Sequence, residues 1–488
     1  MSFFRSERWQ QIRGILFGKY IEDPAVLWYF ACFVVLACAI IYPLDKRMAA
    51  DTPAVTVTHT KNLYEILYDK TDDSYPVNAD VTVEEPSKLY AKYALLMDAT
   101  NRRVLYEKDG YEQVPMASTT KIMTLLVALE QTNPDTVVTV SDYAASMPNV
   151  KLHVKKGEQY RLGDLFYSLM LESHNDSAVV IAEAVGGSVE EFARLMNDKA
   201  KLLGATHTNF VTPNGLDDEQ HYTTAYDLAL IASAAIENLE FCKIIQTPSY
   251  TFHEQTTGRS FTVNNKDRFL TSYDGAIGIK TGFTGNAGYC FVGAVKREDR
   301  QLVSVVLASG WPPNKTYKWK DTTQLMNYGN RAFQMKEVVK KGTQFQPIPV
   351  TDSIEGGSIT PYAAESVALL VGQQEEVTFD ISLPNQLEAP VKKGATVGNI
   401  AISIDDEPYK VISLYAAENK SRLTYEYVLK NICRRFFFLD MRLTFGLQRV
   451  KLLNRNNNNT QRRFDYGFTL HFPGTICGGD QRTISDES

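Results

Sequence analysis

Cysteine is scarce in this chain of 488 residues: it occurs six times, and no two cysteines have the CxxC spacing of a zinc site or a redox pair. A disulfide scaffold is therefore excluded, and we expect buried, unpaired thiols. Glycine and proline are not in excess, and the ordinary globular composition excludes collagen-like, disordered and multi-pass membrane proteins. Positive charge is in short supply, since the formal net charge is −6. The molecule as a whole is thus not built to hold nucleic acid.

The net charge conceals an uneven distribution along the chain. Residues 420–463 carry a net charge of +9, so the remainder sums to −15. Within this basic stretch, apolar residues recur on one helical face, namely Val428, Ile432, Phe436, Leu439 and Leu443. Lys430, Arg434 and Arg442 lie off that face. A basic amphipathic helix with aromatic residues indicates a segment that lies on an anionic membrane surface; a solvated basic helix or a docked core helix is the alternative.

Residues 25–44 form an apolar run of 20 residues without a charge, which is long enough to span a bilayer. Four basic residues precede the run against three acidic ones, so the positive-inside bias places the N-terminus in the cytoplasm and exports everything after residue 44. Ala37-Cys38-Ala39 has the pattern of a cleavage site, but the leader and the run are both long for a signal peptide. We therefore expect a retained anchor, with a cleaved signal peptide as the alternative.

Short apolar runs and helical periodicity alternate through the middle of the chain. The runs at 93–97 and 104–106 flank Asn101-Arg102 and predict a β-hairpin. Helical spacing of apolar residues predicts helices over 122–129, 162–169, 177–182 and 225–235. Strands are predicted at 276–280, 289–295 and 302–307. Strands at both ends with helices between them predict an α+β domain whose sheet joins distant segments of the chain.

Beyond about residue 337 the pattern changes, and apolar residues alternate with polar ones between glycine and proline turns. The alternating apolar positions are Val377, Phe379, Ile381, Leu383, Ile400, Ile402 and Ile404. A period of two is typical of strands with one buried face, so we predict a small β domain here.

The middle of the chain contains three short motifs with hydroxyl, amine and amide side chains. The first is Ser118-Thr119-Thr120-Lys121, at the start of a predicted helix with an apolar face. The i, i+3 spacing places the Ser118 hydroxyl and the Lys121 amine on one face of that helix. A neutral lysine can take the proton of a serine nucleophile, and burial or a second nearby cation favours the neutral form. By itself the motif is weak, because a chain of this length contains about one SxxK by chance.

The second motif is Ser173-His174-Asn175, in the short connection between two predicted helices. It offers a hydroxyl for proton transfer and an amide that can orient a peptide substrate. The alternative is a plain helix N-cap, because Ser173, Asn175 and Asp176 are all cap-forming residues ahead of an apolar helix.

The third motif is Lys280-Thr281-Gly282, at the end of a predicted strand. An extended peptide could pair along such a strand edge, with the lysine and the threonine holding a terminal carboxylate and the glycine allowing close approach. A strand that ends in an ordinary turn is the alternative.

Together the three motifs resemble those of the penicillin-recognising serine acyl-transferases. The flanking sequence narrows the resemblance to the D-alanyl-D-alanine carboxypeptidases, which are the low-molecular-mass penicillin-binding proteins. The segments that carry it are Met116–Thr124, Pro213–Leu216, His221–Ala225 and Gly278–Thr284. The resemblance is strong over about residues 88–335 and weaker over 337–418. It implies an α+β, β-lactamase-like catalytic domain with a mostly helical lobe, followed by a small β-rich domain.

The resemblance also implies roles for the motif residues. Ser118 would attack the terminal D-Ala–D-Ala bond of a peptidoglycan stem peptide, with Lys121 as its general base, and Ser173 would pass a proton to the departing D-alanine. Substrate binding would fall to Asn175, Lys280, Thr281, Gly282 and Phe283. The backbone N–H groups of Ser118 and Phe283 would form the oxyanion hole, and β-lactam antibiotics would trap Ser118 as a stable ester. No cofactor and no metal are implied.

The sequence departs from the family pattern next to the third motif. Phe283 stands where relatives often have histidine, which alters the fit of the substrate. Some relatives hold the substrate carboxylate with a basic residue before the strand. Lys266 and Arg268 are the candidates here, although surface cations are the preferred interpretation.

Three histidines lie in or near the motifs. His174 is expected to be an outward loop residue rather than a base. His207 and His221 flank the Pro213–Leu216 segment, and no cluster of potential ligands accompanies them in the sequence. A metal role for either histidine is therefore not expected.

Two rival functions share the motifs. A serine β-lactamase would need a Glu-x-x-x-Asn pattern after the second motif, which residues 200–220 lack, and the attached β domain also argues against it. A catalytically weak envelope β-lactam-binding protein is the second rival, and the intact set of Ser118, Lys121, Ser173 and Lys280 argues against that.

These observations predict a domain order for an enzyme anchored at the extracytoplasmic face of a bacterial membrane. The segments are a cytoplasmic leader (1–24), a signal anchor or signal peptide (25–44), a spacer (45–86), the catalytic domain (87–336), the β-rich domain (337–418), the basic membrane-binding segment (419–453) and a disordered tail (454–488). The expected partners are the stem peptide, β-lactams and the membrane surface, with no nucleic acid.

Overall fold

The computed structural model describes residues 83–435. The first part of this range contains nine strands: β1 (Tyr93–Asp98), β2 (Arg103–Lys108), β3 (Val137–Thr139), β4 (Gln159–Arg161), β5 (Ser249–His253), β6 (Ser260–Asn264), β7 (Ala276–Thr284), β8 (Gly288–Lys296) and β9 (Gln301–Leu307). Five of them form one antiparallel sheet in the order β2-β1-β9-β8-β7. Strand β1 thus pairs with β9 from far along the chain, as predicted for a sheet built from distant segments.

Helices cover this sheet and build a lobe beside it. They are a 3₁₀ turn (Ala117–Thr120), α1 (Lys121–Gln131), α2 (Asp142–Ala145), α3 (Leu162–Tyr167) with the π turn Ser168–Glu172, α4 (Asn175–Gly186), α5 (Val189–Leu202), α6 (Ala225–Ala235), α7 (Leu239–Gln246), α8 (Phe269–Ser272) and α9 (Tyr317–Ala332). The predicted α+β class with a mostly helical lobe is confirmed.

Strand β1 shows why the sheet is covered on both faces. Its side chains alternate, so that Leu95 and Met97 join the larger apolar cluster with α1, α4 and α6, whereas Leu96 joins the cluster formed with α9. All three residues are completely buried. The near-continuous apolar run of this strand is the pattern expected for burial on both faces.

Side-chain caps begin several of the helices. The Thr224 hydroxyl accepts a hydrogen bond from the Asp227 N–H at 2.9 Å and starts α6. The Ser188 hydroxyl accepts one from the Glu191 N–H at 3.1 Å and starts α5. Each cap satisfies one of the backbone donors that a helix N-terminus leaves without a partner.

A smaller region of β structure follows α9. Its strands are β10 (Phe333–Val339), β11 (Ile348–Thr351), β12 (Ser358–Ile359), β13 (Pro361–Ala363), β14 (Val367–Gly372), β15 (Val377–Ser382), β16 (Leu387–Glu388), β17 (Thr396–Ile404) and β18 (Glu407–Ala416). Four strands form a sheet in the order β13-β18-β17-β15, and β10 pairs with β14. Phe379, Ile400, Ile402 and Ile404 lie in its core, so the predicted period-two pattern does mark the buried face.

Arg103 on β2 connects the two sheets. Its guanidinium forms an ion pair with Glu375 and donates a hydrogen bond to the Leu370 carbonyl of β14. The guanidinium also lies 5.9 Å from the centroid of the Phe333 ring. Because both charged side chains are mostly buried, removing either one would leave the other as an uncompensated buried charge.

Residues 83–349, 358–387 and 391–419 belong to one compact unit, and 350–357, 388–390 and 420–435 belong to a second. Within the second unit, the Lys420 ammonium donates to the Gly356 carbonyl at 3.0 Å, and Arg422 pairs with Glu388 at 2.9 Å. Residues 425–435 are helical. In the described range there is no helix with the length and apolar character of a membrane span.

Several sequence-based predictions fall wholly or partly outside the described residues. The apolar run 25–44, the spacer up to residue 82 and the tail 454–488 lie outside them, and so do residues 436–453 of the basic segment. Of the six cysteines, Cys242, Cys290 and Cys433 are described, and each is a free thiol. Only Cys290 is fully buried; the other two are half-buried.

The two-sided burial of β1 gives a stability prediction. Leu96→Ala should lower the free energy of unfolding by about 2–5 kcal/mol, because it removes a completely buried side chain and leaves a cavity against α9. Leu202→Ala serves as the control, since Leu202 is 83% exposed and its truncation should change stability by less than about 0.5 kcal/mol. Urea unfolding of both variants measures the difference, and equal losses would contradict the packing described here.

Candidate active site

The first motif forms the turn that carries the candidate nucleophile. Ser118 lies in the 3₁₀ turn Ala117–Thr120, and Lys121 is the first residue of α1, which continues directly from that turn. Ala117 has a φ of +50°, in the left-handed region that alanine seldom adopts. The Lys121 ammonium nitrogen lies 2.8 Å from Ser118 Oγ.

Lys121 is held by three acceptors in a completely buried position. Besides Ser118, its Nζ donates to Asn175 Oδ1 at 2.9 Å and to the Asn214 carbonyl at 2.6 Å. Burial lowers the pKa of Lys121 well below its usual 10.5, and the nearby cation of Lys280 lowers it further. The carboxylate of Asp176 opposes the shift. A neutral amine in this place has a lone pair that can accept the Ser118 proton.

The second motif contributes the amide of Asn175, the first residue of α4. While its Oδ1 accepts from Lys121, its Nδ2 donates to the Pro148 carbonyl at 3.3 Å and its backbone N–H donates to the Val150 carbonyl at 2.8 Å. The segment around residues 148–154 therefore fixes the amide that faces Lys121.

Asp176 holds that segment in place. Its completely buried carboxylate accepts hydrogen bonds from the backbone N–H groups of Leu152, at 2.9 Å, and Val154, at 3.2 Å. A buried carboxylate that accepts backbone N–H groups is well compensated for its loss of hydration. From the sequence alone Asp176 is only a candidate helix cap, and its position next to the second motif is the one signal of this further role.

Ser173 and His174 do not form the side-chain cap of α4 that was the alternative interpretation of the second motif. Helix α4 has His174 at its N-cap position without a side-chain cap, and Ser173 adopts a left-handed conformation with φ +68° at the end of the π turn. Among residues 83–435, Ser173 Oγ makes no hydrogen bond, so it is not joined directly to Lys121 or Lys280. The half-buried hydroxyl is available to a bound molecule.

The prediction that His174 points outward is wrong. Its ring is buried, with Nδ1 2.8 Å from Ser168 Oγ and Nε2 3.4 Å from a Glu172 oxygen. Burial lowers the pKa of His174, against the attraction of Asp176 and Glu172. The ring is buried because helices pack on both sides of the motif. Assigning His174 to a loop from the sequence does not predict this burial.

The third motif lies on β7, the last strand of the sheet. Gly282 passes directly over the 3₁₀ turn Ala117–Thr120, which we call the nucleophile turn. A Cβ at position 282 would lie 3.2 Å from Ser118 N, Met116 O and Ala117 Cβ. Glycine is thus needed for the close approach of β7 to Ser118. Thr281 is half-buried beside it, and Phe283 is 43% exposed with its ring centroid 4.6 Å from that of Tyr289.

Lys280 is a second buried amine at the site. Its Nζ donates to the Thr281 carbonyl at 3.0 Å. Burial lowers the pKa of Lys280 to about 7; Asp267 raises it and Lys318 lowers it. The charge of Lys280 in turn favours the neutral form of Lys121. A second cation was expected to have this effect, and the structure supplies it from a strand more than 150 residues away.

The charged residues before β7 have separate surroundings. Lys266 is exposed and pairs with Glu172 at 2.9 Å, and Arg268 is exposed at the start of α8. Between them, Asp267 directs a carboxylate inward: its Oδ1 accepts from the Phe269 N–H at 2.9 Å, and burial raises its pKa to about 6. The sequence pattern pointed to the two cations, and nothing in it marks the buried carboxylate between them.

Residues 211–221, which we call the brace, complete the surroundings of Ser118. Asn214 provides the carbonyl that accepts from Lys121 and, at 3.3 Å, from Ser118 Oγ. Gly215 follows with a φ of +80°, and a Cβ there would lie 2.0 Å from the Ala117 carbonyl oxygen. In the sequence, Pro213–Leu216 carries part of the family resemblance but no predicted role. His207, by contrast, is exposed outside the brace.

The arrangement contains the parts of an acyl-transfer site. A serine hydroxyl touches a buried amine of lowered pKa, an amide orients that amine, and a strand edge with a second amine passes beside the serine. Fold and site together define a serine acyl-transferase of the penicillin-recognising class.

Comparisons with known proteins narrow the class. The family model described as D-alanyl-D-alanine carboxypeptidase matches residues 79–310, and the model for the C-terminal domain of penicillin-binding protein 5 matches residues 333–422. The chain is 32% identical to the D-alanyl-D-alanine carboxypeptidase DacC of Escherichia coli K12, over 70% of this chain and 86% of the relative. It is 28% identical to DacF of Bacillus subtilis 168, over 70% and 88%.

A solved structure agrees with these matches. Penicillin binding protein 5 from Haemophilus influenzae has a TM-score of 0.59 and 26% identity, covering 70% of this chain and all of that chain. The chain therefore belongs to the D-alanyl-D-alanine carboxypeptidase family, the low-molecular-mass serine penicillin-binding proteins. The predicted family, fold class and enzyme class are confirmed.

The coupling of the two buried amines can be tested directly. Lys280→Gln should raise the pKa of Lys121, because the variant removes a cation that disfavours the protonated form. NMR titration of the chain with isotope-labelled lysine measures this value. Lys266→Gln, which alters an exposed lysine paired with Glu172, should leave it unchanged. A Lys121 pKa that is the same in wild type and Lys280→Gln would contradict the coupling.

Proposed function

We propose that this protein removes the terminal D-alanine from peptidoglycan stem pentapeptides through an acyl-enzyme on Ser118. The observation that carries the proposal is the completely buried Lys121 amine, 2.8 Å from Ser118 Oγ and fixed by Asn175 and Asn214. Serine needs a base before it can act as a nucleophile. The Lys121 amine lies within hydrogen-bond distance of the hydroxyl, and its lowered pKa favours the neutral form that can act as that base.

In the acylation step, neutral Lys121 takes the proton of Ser118 while Oγ forms a bond to the penultimate D-alanine carbonyl. The negative charge that develops on the carbonyl oxygen is stabilised by the backbone N–H groups of Ser118 and Phe283. The C–N bond to the terminal D-alanine then breaks. Its nitrogen receives a proton, and free D-alanine leaves an ester on Ser118.

Ser173 is the residue we assign to the proton transfer to the departing amine. Its hydroxyl is half-buried and makes no hydrogen bond to another described residue, so it is free to donate to the substrate nitrogen. Lys280, with a pKa near 7, can replenish that proton at neutral pH. Water then attacks the Ser118 ester, which releases the shortened peptide with a carboxylate end and restores the serine.

Strand β7 is the proposed surface for the substrate. As the last strand of its sheet, β7 can pair with an extended peptide, and Gly282 brings that peptide close to Ser118. Lys280 and Thr281 would hold the terminal carboxylate and Asn175 the peptide amide. Phe283, whose ring is 43% exposed at the end of this edge, would contact the apolar side of the stem peptide.

The Ser118 acyl-enzyme gives the first functional prediction. Wild type should release D-alanine from a pentapeptide ending in D-Ala–D-Ala and should be labelled by fluorescent penicillin, whereas Ser118→Ala should lose both reactions by more than about 1000-fold. D-Alanine release and mass spectrometry of the labelled peptide measure the two outcomes. Wild type that hydrolyses penicillin rapidly and releases no D-alanine would show a β-lactamase instead; wild type that does neither would show a binding protein.

The domain order predicted from the sequence is part of this proposal. We assign the catalytic function to residues 87–336 and a supporting role to the β-rich region 337–418. Residues 25–44 would anchor or export the chain, with 1–24 as leader and 45–86 as spacer. The basic segment 419–453 would contact the membrane, ahead of the tail 454–488.

Contact with the membrane surface is supported by the second structural unit. Leu423, Tyr425 and Tyr427 are exposed apolar residues at the start of the helical stretch 425–435, directly before the most basic part of the chain. Aromatic residues beside clustered cations favour the interface of an anionic bilayer. The enzyme would then work at the extracytoplasmic face of the cell membrane, where its substrate is found.

Truncation tests the membrane assignment. A chain without residues 1–50 and 420–488 should stay in the supernatant and retain D-alanine release, because the site residues all lie between 118 and 283. Sedimentation with vesicles containing anionic lipid, compared with the chain that lacks only residues 1–50, measures the contribution of the C-terminal segment. Equal pelleting of both chains would contradict a membrane role for residues 420–488.

A further inference from the structure

His221 is a buried histidine at the end of the brace, next to the candidate nucleophile and without a part in the reaction described above. Only 3% of it is exposed. Its Nδ1 accepts hydrogen bonds from the backbone N–H groups of Val211, at 3.0 Å, and Thr212, at 3.3 Å. The backbone N–H of His221 donates to the Asp218 carbonyl at 3.0 Å. Through its ring and its backbone N–H, His221 thus forms hydrogen bonds with residues at the start and near the end of the brace.

The two acceptor bonds assign the tautomer of the ring. Because Nδ1 receives two N–H groups, it carries no proton, and the proton of the neutral ring is on Nε2. Nε2 lies 2.8 Å from Thr120 Oγ1, so Nε2–H donates to that hydroxyl. The Thr120 hydroxyl in turn donates to the Ala117 carbonyl at 2.8 Å. The hydrogen bonds therefore run in one direction from the brace to the nucleophile turn.

The end of this chain of bonds is the strained residue before the nucleophile. Ala117 has a φ of +50°, a conformation that persists only where the surroundings enforce it. The brace also reaches the site by a second route, since the Asn214 carbonyl accepts from both Lys121 and Ser118. Both members of the Ser118–Lys121 pair are consequently located relative to the brace.

We propose that His221 is a positioning residue that sets the distance and angle between Ser118 and Lys121 by tying the nucleophile turn to the brace through Thr120. It touches no reacting atom. The inference rests on the proposed acyl-enzyme on Ser118 and names a residue that this reaction depends on. Burial keeps the pKa of His221 at about 4, against the attraction of Asp218 and Asp217, so the ring stays neutral and its donor stays in place at neutral pH.

Four single variants of the full chain and one double variant test the role. His221→Leu removes both ring nitrogens, and with them the hydrogen bonds to Thr120 and to the brace backbone. Thr120→Val removes the hydroxyl between the ring and the nucleophile turn. His221→Gln retains one acceptor and one donor and serves as the conservative replacement. Tyr250→Phe is the control, because it removes a 2.8 Å side-chain hydrogen bond, from the half-buried Tyr250 to Asp164, away from the site.

Stopped-flow labelling with fluorescent penicillin separates the dissociation constant of the first complex from the rate constant of acylation. We expect His221→Leu and Thr120→Val to lower the acylation rate constant about 10- to 100-fold while the dissociation constant changes less than about threefold, because misplacement of the nucleophile by about 1 Å has effects of that size. His221→Gln should recover most of the rate. The double variant, which combines His221→Leu with Thr120→Val, should be no slower than the slower of these two single variants, since both substitutions act on one contact.

The outcomes separate this proposal from the proposed function. If wild type is not labelled on Ser118, the acyl-enzyme itself is refuted. If wild type is labelled and both His221→Leu and Thr120→Val acylate at the wild-type rate, the positioning role is refuted. A loss of rate in Tyr250→Phe equal to that in Thr120→Val would also overturn it, because the effect would then follow the loss of any side-chain hydrogen bond in the domain. Thr120→Val alone decides the matter if His221→Leu does not fold.

Discussion

The burial of the Lys121 amine is the constraint on which the rest of the catalytic domain depends. An ammonium ion in a completely buried position would be strongly disfavoured. The amine is surrounded by neutral hydrogen-bond acceptors and not by a carboxylate in direct contact. Ser118, Asn175 and Asn214 each provide one acceptor, and each comes from a different part of the chain. The amine can therefore lose its proton at low cost while its position remains fixed.

Much of the fold and the motif residues could be predicted from sequence because the signals were local. Short apolar runs and helical periodicity located β1, α1, α6 and the strands around Lys280 to within a few residues. The spacing of Ser118 and Lys121 within one turn placed hydroxyl and amine together. Helices α5 and α9 were missed, because their polar residues weaken the apolar periodicity while their few buried side chains still pack on the core.

The undetected parts of the site depend on contacts across long stretches of sequence. The Asn214 carbonyl, the Thr120–His221 contact and the Asp267 carboxylate are defined by where the backbone passes, and no residue spacing encodes this. His174 illustrates the same limit, since its burial follows from the packing of helices on both sides of its loop. Close approach at Gly215 and Gly282 is visible in the sequence only as two glycines.

The pairing of β1 with β9 has a consequence for when this enzyme becomes active. Because Leu96 lies opposite Ser304, the central strands cannot associate until more than 200 further residues have been synthesised. Closing so long a loop is slow. Until it closes, the apolar faces of β1 and of the helices that follow it stay exposed to solvent. Lys280 and the Asn214 carbonyl join Lys121 only in the assembled domain, so an incomplete chain carries the SxxK motif without the second cation and without this acceptor. In the proposed mechanism, the reactivity of Ser118 would therefore develop only after the whole domain has been produced.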